Sequence, residues 1–330
     1  MGATIAGKKV GQVGYGMMGL SWRSSPISDE QAIRVLKSAV DSGANLWNGG
    51  EFYGTPQSNS LTLLNKYFTL YPEDADKVVI NIKGALGPDR LPDSSERNIR
   101  QSIDNCLNAL AGKKSIDVFE CARVDPNHHI EDTIKVLAGL VKEGKIGAIG
   151  LSEVKADTIY RAQKVHPIAS VEVEVSLWAM DIFSNGVAKA CAELDIPILA
   201  YSPLGRGMLT GKLKSPEDLP QGDWRRYLPR FMPGAFEKNI ELVNAVGAIA
   251  DKKGCTRAQL AMAWLKSLSG KDGNPIIIPI PGTGSETTLL ENMADIQLSP
   301  EEHSEIRSIL AEHTVVGGRY GGAQAAFLEG

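Results

Sequence analysis

Short apolar runs alternate with segments of helical periodicity along most of the chain. Eight runs have the length and composition of strands, and they cover residues 12–17, 45–48, 77–83, 116–121, 146–152, 170–175, 197–202 and 275–280. The segment after the first run is typical of the predicted helices: Ser28 and Gln31 have capping-box spacing, apolar residues recur at helical intervals, and Gly43 ends it. Apolar strands that alternate with helices predict a parallel sheet covered on both faces.

Eight strand–helix units within 330 residues favour a closed (β/α)8 TIM barrel that forms a single domain over residues 1–330. A doubly wound open sheet is the alternative that the pattern alone leaves open. The longest interval between strands, residues 203–255, is rich in Gly, Pro and Arg. We interpret it as an insertion after strand 7, on one face of the barrel, and as a candidate lid.

One glycine motif favours the open sheet if only its sequence pattern is considered. "GYGMMG" carries Gly14, Gly16 and Gly19 at the spacing of a dinucleotide-binding fingerprint. That fingerprint needs a helix that begins inside it, whereas the cap at Ser28 places the helix further on, and the acidic residue expected about 20 positions later is missing. We therefore interpret the motif as a glycine-rich first strand that lets other groups approach its backbone.

Composition narrows the class of protein. A net charge of −4, with basic and acidic residues mixed along the chain, gives no footprint for nucleic acid or an anionic membrane. The apolar runs are shorter than the roughly 20 residues that span a bilayer, and the first residues lack a signal-peptide pattern. Four scattered cysteines and five histidines show no metal-ligand spacing. We expect a cytoplasmic protein without a metal that binds a small ligand.

A tyrosine and a lysine stand out at the predicted carboxyl ends of the strands, where the active site of such a barrel gathers. Tyr53 lies in a Gly-rich turn after strand 2, and Lys83 closes the apolar strand 3. Each alone is typical of an ordinary turn or strand end. Together they have a mechanism, because a nearby ammonium lowers the pKa of a phenol from about 10. Such a tyrosine can donate a proton to a carbonyl oxygen.

The chain resembles the aldo-keto reductase superfamily over essentially its whole length. The landmarks "EFYGTP", "IDVFECARVDP", "GKIGAIGLSE", "AYSPLGRGMLTGKL" and "TRAQLAMAWL" occur in family order and spacing. Within the superfamily, "LSWR", "NLWNGGEFYG" and "FECARVDP" are most similar to pyridoxal reductases, which reduce pyridoxal to pyridoxine with NADPH. The resemblance implies a (β/α)8 barrel with extra N-terminal strands and an NAD(P)H-dependent reductase of an aromatic aldehyde.

The family's catalytic tetrad of Asp, Tyr, Lys and His is only half kept. By motif, Tyr53 is the general acid and Lys83 assists it, while Asn48 stands at the aspartate position and Ala122 at the histidine position. We expect Lys83 to lack a charged partner, so that it loses its proton more easily and its charge acts on Tyr53 uncompensated. We further expect the hydroxyl beside the aldehyde of pyridoxal to polarise the carbonyl where the histidine is missing.

The resemblance also implies the cofactor-binding residues. The matching positions lie at the nicotinamide end, in the pyrophosphate loop and at the adenosine end; they are Ser152, Glu153, Glu172, Tyr201, Ser202, Pro203, Leu204, Arg206, Gly207, Thr283, Ser285, Glu291 and Asn292. NADPH is the expected cofactor. NADH stays open, because Gly282 and Thr288 occupy positions where basic residues often grip the 2′-phosphate. Thr283, Ser285 and a helix N-terminus are candidates for that phosphate, as are Lys212 and an arginine of the insertion.

Five residues match loop positions that line the family's substrate pocket: Met18, Trp22, Phe52, Ala122 and Trp178. The tail "GGRYGGAQAAF" is expected to close this pocket. Two other functions fit the same chain, namely an aldo-keto reductase acting on another carbonyl, such as one of secondary metabolism, and a slow-turnover nucleotide-binding redox sensor like the potassium-channel β subunits. The sequence predicts neither the oligomeric state nor the direction of flux.

Overall fold

A computed structural model describes residues 3–23, 27–328 and 330, and its centre is a ring of eight parallel strands. A two-stranded antiparallel hairpin precedes the ring. In chain order the strands are β1 (Thr4–Ile5), β2 (Lys8–Lys9), β3 (Tyr15–Gly16), β4 (Leu46–Gly50), β5 (Val79–Gly84), β6 (Ile116–Cys121), β7 (Ile146–Ser152), β8 (Ile168–Glu174), β9 (Ile198–Tyr201) and β10 (Ile277–Pro279). From β3 to β10 each strand pairs with the next one along the chain, as in a (β/α)8 barrel.

Backbone hydrogen bonds close the ring between its first and last strands. The amides of Gly14 and Gly16 donate to the carbonyls of Pro279, at 2.9 Å, and Pro281, at 3.1 Å. A Cβ on Gly14 would lie 2.7 Å from the Leu46 carbonyl oxygen, so the first strand needs glycine for this close approach. The predicted barrel is therefore confirmed, and the open-sheet alternative is wrong.

Helices cover the outside of the barrel. They are α1 (Met18–Ser21), α2 (Asp29–Asp41), α3 (Ser60–Leu70), α4 (Glu96–Leu110), α5 (Ile130–Lys142), α6 (Ala156–Val165), α7 (Val187–Glu193), α8 (Ala235–Lys253), α9 (Arg257–Leu268), α10 (Glu286–Met293) and α11 (Pro300–Glu312). The α2 helix begins as predicted, with the Ser28 hydroxyl accepting from the amide of Gln31. Within the described residues, no helix has the length and apolar character that crossing a membrane would require.

The barrel interior is apolar at one end and polar at the other. The β1–β2 hairpin closes the amino-terminal end, where Ile5 and Val10 pack against Leu46 and the apolar residues of the other strands. Burial of each such side chain contributes roughly 1.5–3 kcal/mol. Two residues further along the strands, the inner positions carry buried polar side chains such as Asn48. This polar layer lies at the carboxyl ends of the strands.

The predicted insertion follows the seventh strand of the barrel, which is β9, and has two parts. Its first part contains four 3₁₀ turns, at residues 205–210, 216–218, 224–227 and 229–231. Its second part is the 19-residue helix α8, which packs against α9 and α11. The C-terminal tail after α11 lies on both parts: Val316 exchanges two hydrogen bonds with Asn239 of α8, and the Gly317 carbonyl accepts from Arg230. The tail is thereby directed across the carboxyl ends of the strands.

Candidate active site

Tyr53 is fixed in the turn after β4 by its backbone. Its amide donates to the Gly50 carbonyl at 3.2 Å, and its own carbonyl accepts from the Ser21 hydroxyl at 2.7 Å. The ring lies flat against Gly50, where a Cβ would stand only 3.1–3.2 Å from three ring carbons. The Lys83 ammonium lies 5.7 Å from the ring centroid. The structure therefore brings the predicted acid and the predicted lysine together.

Lys83 has charged partners that the sequence reasoning missed. Its Nζ donates to Asn48 Oδ1 at 2.7 Å and lies 2.5 Å from Glu172 Oε2 and 3.3 Å from Glu120 Oε1. Lysine and both carboxylates are almost fully buried. The expectation of an uncompensated Lys83 is wrong, because Glu172, assigned from the sequence to cofactor binding, pairs with it.

The surroundings set the protonation of both groups. Burial alone would lower the pKa of Lys83, but the charges of Glu172, Tyr53 and Glu120 outweigh burial and raise it. Lys83 is therefore protonated at neutral pH, contrary to the expectation of easier proton loss. Burial raises the pKa of Tyr53 to about 12, although the charge of Lys83 opposes the shift. Tyr53 consequently keeps its proton at neutral pH, as a proton donor must.

Aromatic side chains form a wall beside Tyr53. Its ring centroid lies 5.9 Å from that of Trp22 and 5.0 Å from that of Phe52. Trp22 is 43% exposed and Met18 36% exposed, so both are available to a ligand. Trp178 has different surroundings, because it is buried and packs edge-on against Phe231. Ala122, at the histidine position, is also buried and its amide bonds to the Gly84 carbonyl.

At the predicted nicotinamide end, the C-terminal tail makes the principal contacts. Arg319 donates two parallel hydrogen bonds to Glu153, at 2.8 and 2.9 Å, and the Tyr201 hydroxyl also donates to Glu153. The Tyr320 hydroxyl lies 3.2 Å from that of Tyr201. Burial would raise the pKa of Glu153, but Arg319 outweighs it and lowers the pKa. Glu153 is thus an ionised partner of the tail, with a left-handed φ of 49° that positions it at the end of β7.

The predicted pyrophosphate loop is a tight turn with left-handed backbone at several positions. Ser202, Arg206 and Gly207 have φ values of 50°, 57° and 95°, and Pro203 and Leu204 complete the turn. The Arg206 guanidinium donates to Glu174 at 2.7 Å and to the Arg319 carbonyl at 2.9 Å. Non-glycine residues in this conformation are held there by their surroundings and are common at functional sites.

The predicted adenosine end lies where β10 runs into α10. The Ser285 hydroxyl caps α10 by accepting from the amide of Thr288, and the Thr283 hydroxyl accepts from the amide of Ser285. Glu291 and Asn292 follow on the helix, with Asn292 buried. Among the predicted cofactor-binding residues, all of which the structure describes, two have a buried side-chain atom without a hydrogen-bond partner: Asn292 Oδ1 and Ser152 Oγ. Orphaned buried polar atoms require a partner, so these residues fit a bound dinucleotide at both ends of the predicted site.

Comparison with known proteins places this arrangement in a family. A model described as the aldo/keto reductase family matches residues 12–311. The chain belongs to this family. It is 40% identical over 324 residues to probable pyridoxal reductase 2 of Schizosaccharomyces pombe, with 96% of each chain covered. It is 37% identical over 330 residues to a putative pyridoxal reductase of Saccharomyces cerevisiae, covering 93% of this chain and 95% of that one.

A solved structure has the same fold. The structure resembles that of a glycerol dehydrogenase from Gluconobacter oxydans with a TM-score of 0.80 and 24% identity, over 94% of each chain. The family resemblance inferred from the motifs is confirmed. As an aldo/keto reductase, the protein is an oxidoreductase of a family that uses nicotinamide cofactors.

Glu120, Arg319 and Tyr320 contribute to this aldo/keto reductase site but were not among the predicted site residues. Glu120 could have been recognised from the alternation of "IDVFEC", because Val118 faces the barrel interior and Glu120 therefore does too. Arg319 and Tyr320 belong to a tail that was expected to close the pocket, yet no local pattern singled them out as partners of Glu153 and Tyr201. In the part of the chain that is described, no cluster of three or more His, Cys, Asp or Glu is arranged to bind a metal.

Proposed function

We propose that this aldo/keto reductase reduces an aromatic aldehyde, pyridoxal to pyridoxine, with NADPH. The observation that carries the proposal is a protonated tyrosine packed over a buried ammonium, within a chain similar to two named pyridoxal reductases. When bound, the nicotinamide supplies hydride to the carbonyl carbon. Tyr53 donates its proton to the carbonyl oxygen, and Lys83 stabilises the phenolate left behind.

The aromatic wall supports an aromatic substrate. Trp22 and Phe52 stand nearly perpendicular to each other, at 88°, so a flat ring can lie on one and meet the edge of the other. Ala122 brings no donor to the carbonyl, whereas one such donor contributes roughly 3–4 kcal/mol in the transition state. A hydroxyl beside the aldehyde replaces it by an internal hydrogen bond. Equal kcat/KM for pyridoxal and its 3-deoxy analogue would contradict this role.

An arginine outside the expected segment supports the choice of NADPH. Nη1 of Arg23, an exposed residue after α1, lies 3.3 Å from where a Cβ on Gly284 would stand, beside Thr283 and Ser285. Arg23 forms no ion pair within the described residues. Arg23→Ala is expected to weaken NADPH binding about 10- to 100-fold, the value of one charge-assisted contact, and to leave NADH binding unchanged. Lys212→Ala tests the competing candidate from the insertion, and titration by cofactor fluorescence gives both dissociation constants for each variant.

A substrate screen with Tyr53→Phe tests the function as a whole. The parent enzyme is expected to oxidise NADPH rapidly with pyridoxal, and Tyr53→Phe to lose turnover while it binds NADPH with unchanged affinity. Preference for another aldehyde would favour the second carbonyl-reducing function. Tight cofactor binding without turnover on any aldehyde would favour the redox-sensing function instead. Retained turnover in Tyr53→Phe would remove this residue from the acid role.

A further inference from the structure

Three donors converge on one oxygen of Glu172. Lys83 Nζ, Asn48 Nδ2 and Asn81 Nδ2 all bond to Oε2, the lysine at 2.5 Å and Asn81 at 3.5 Å. Glu172 is buried on the inner face of β8. A carboxylate in this position is stabilised only by such donors, because burial removes it from water. The donors around Glu172 Oε2 therefore suit a negatively charged carboxylate at residue 172.

Asn48 is chemically matched to that charge. An ammonium only donates hydrogen bonds, so the amide oxygen of Asn48 faces Lys83 and its nitrogen faces Glu172. An aspartate at residue 48 could accept from Lys83 but could not donate to Glu172, and it would place two buried carboxylates side by side. Asparagine at residue 48 and glutamate at residue 172 thus complement each other.

The second carboxyl near Lys83 does not share the role equally. Glu120 Oε1 lies further from Nζ, at 3.3 Å, and its Oε2 has no hydrogen-bond partner among the described residues. Burial and the charge of Glu172 raise the pKa of Glu120 well above its ordinary value. Glu172 is therefore the nearer and better hydrogen-bonded partner of Lys83, at 2.5 Å against 3.3 Å for Glu120.

We propose that Glu172 is the counter-ion of Lys83, so that the charge supplied by the aspartate of the family tetrad has moved from residue 48 on β4 to residue 172 on β8. Glu172 acts as a positioning residue: it keeps Lys83 protonated and directed beneath Tyr53. The inference rests on the proposed function for its kinetic consequence only. The ion pair itself exists without a cofactor or substrate, so its effect on stability is independent of turnover.

The decisive experiment returns the negative charge from residue 172 to residue 48. Glu172→Gln, Asn48→Asp and the double variant are compared with the parent enzyme by thermal unfolding without cofactor and by the pH profile of kcat/KM. Glu172→Gln is expected to unfold at lower temperature and to shift the alkaline limb of the profile down by about 1–3 pH units, because burial lowers the pKa of Lys83 and its nearest opposing charge is then missing. The double variant is expected to recover both properties.

The groups that titrate around this pair are few. Glu172 from β8, Glu120 from β6 and Tyr53 from the turn after β4 face Lys83, while Arg123 and Tyr320 act on Tyr53. Glu120→Gln is therefore included, and it should move the alkaline limb less than Glu172→Gln does, because Glu120 lies further from Lys83. A limb that moves as far in Glu120→Gln as in Glu172→Gln would overturn the assignment of the charge to Glu172.

A matched ion pair at the opposite end of the barrel controls for general loss of stability. Asp117 pairs with the buried Lys114 at 2.7 Å, and Asp117→Asn should lower the unfolding temperature without moving the limb or being rescued by Asn48→Asp. If Glu172→Gln alone does not fold, recovery of folding in the double variant still supports the proposal. Unchanged unfolding temperature in Glu172→Gln, or no recovery in the double variant, would overturn it. Failure of pyridoxal turnover in the parent enzyme contradicts the proposed function and leaves the unfolding comparison to decide the ion pair.

Discussion

Two clusters of buried ion pairs lie at the carboxyl ends of the barrel strands, and they are built from different parts of the chain. In the inner cluster, Lys83, Glu120 and Glu172 all belong to strands. Lys83 and Glu120 are register partners on β5 and β6, so their separation is fixed by the sheet. The inner cluster can change only if the barrel itself deforms.

In the outer cluster, the carboxylates belong to the strand ends and the cations do not. Glu153 and Glu174 bind Arg319 of the C-terminal tail and Arg206 of a 3₁₀ turn. Detachment of the tail would not require the strands to move, and it would expose the carboxylates to water. We infer that the inner cluster acts on Tyr53 through Lys83, and we expect the outer cluster, which holds the tail, to affect access to the site.

The largest effect is expected where the inner cluster loses its only cation. Lys83→Met leaves Glu172 buried without a charged partner, and breaking a buried pair in this way costs about 3–5 kcal/mol. Urea unfolding should show this loss, and aldehyde reduction should be abolished. Lys114→Met removes a cation from a buried pair at the other end of the barrel, and it should cost stability while the enzyme stays active. Equal turnover in Lys83→Met and the parent enzyme would contradict the role of the inner cluster.

The inner cluster also shows how far the sequence could predict the site. Lys83 and Tyr53 were found because a charge that ends an apolar strand and an aromatic in a Gly-rich turn are local signals. Strand alternation, which is also local, places Lys83 and Glu120 on the inner face, and the pairing of consecutive strands makes them neighbours. The pairing with Glu172 depends on how eight strands close into a ring, because β5 and β8 are not adjacent. No local pattern encodes a distance across the barrel.

The fold could be predicted because it depends on local patterns. The outer cluster could not, because it depends on contacts between distant segments. Strand–helix alternation and ordered family motifs predicted the barrel, its N-terminal strands and the insertion, but not helix α8 within residues 203–255. The contacts of Arg319 depend on where a tail without helical or strand periodicity comes to lie. Its path is fixed by hydrogen bonds to Arg230 and Asn239, residues that lie far away in the sequence.

A smaller effect on stability, and a larger effect on access, is expected when the outer cluster is opened. Arg319→Gln removes a bidentate pair, and hydrogen bonds to charged groups contribute about 1.5–3 kcal/mol each at most; much of this is recovered if the tail detaches and water solvates Glu153. Faster release of NADPH and faster proteolysis of the tail should result. Arg319→Lys keeps the charge without the planar fork and should be intermediate. Unchanged release kinetics in Arg319→Gln would separate the tail from cofactor access.

Acid and base should act on the two clusters in opposite directions. The lowered pKa of Glu153 stabilises the fold above the ordinary glutamate pKa, and this contribution is lost as the pH falls through the folded value. The raised pKa of Glu120 contributes fully below the ordinary value and is lost as the pH rises toward the folded value. Unfolding temperatures measured from about pH 4 to 9 should show Glu153→Gln below the parent enzyme mainly at neutral pH. The unfolding temperature of Glu120→Gln should rise relative to that of the parent enzyme as the pH rises. Parallel curves for the two variants would contradict opposite effects of pH on the two clusters.

The smallest effect on stability is expected for a variant that displaces Tyr53. This variant tests whether the reaction needs Tyr53 at its observed distance from Lys83. A Cβ on Gly50 would touch the Tyr53 ring at 3.1 Å, so Gly50→Ala should displace the ring by a few tenths of an ångström. Because misplacement by 1 Å can cost about 100-fold in rate, kcat should fall a few-fold while the unfolding temperature barely changes. Gly49→Ala is the matched control, since its Cβ would instead meet Ile82 and Ser60 on the outer side. If both alanine variants lose kcat equally, the loss comes from strain in β4. The rate would then depend less on the position of Tyr53 relative to Lys83 than we expect.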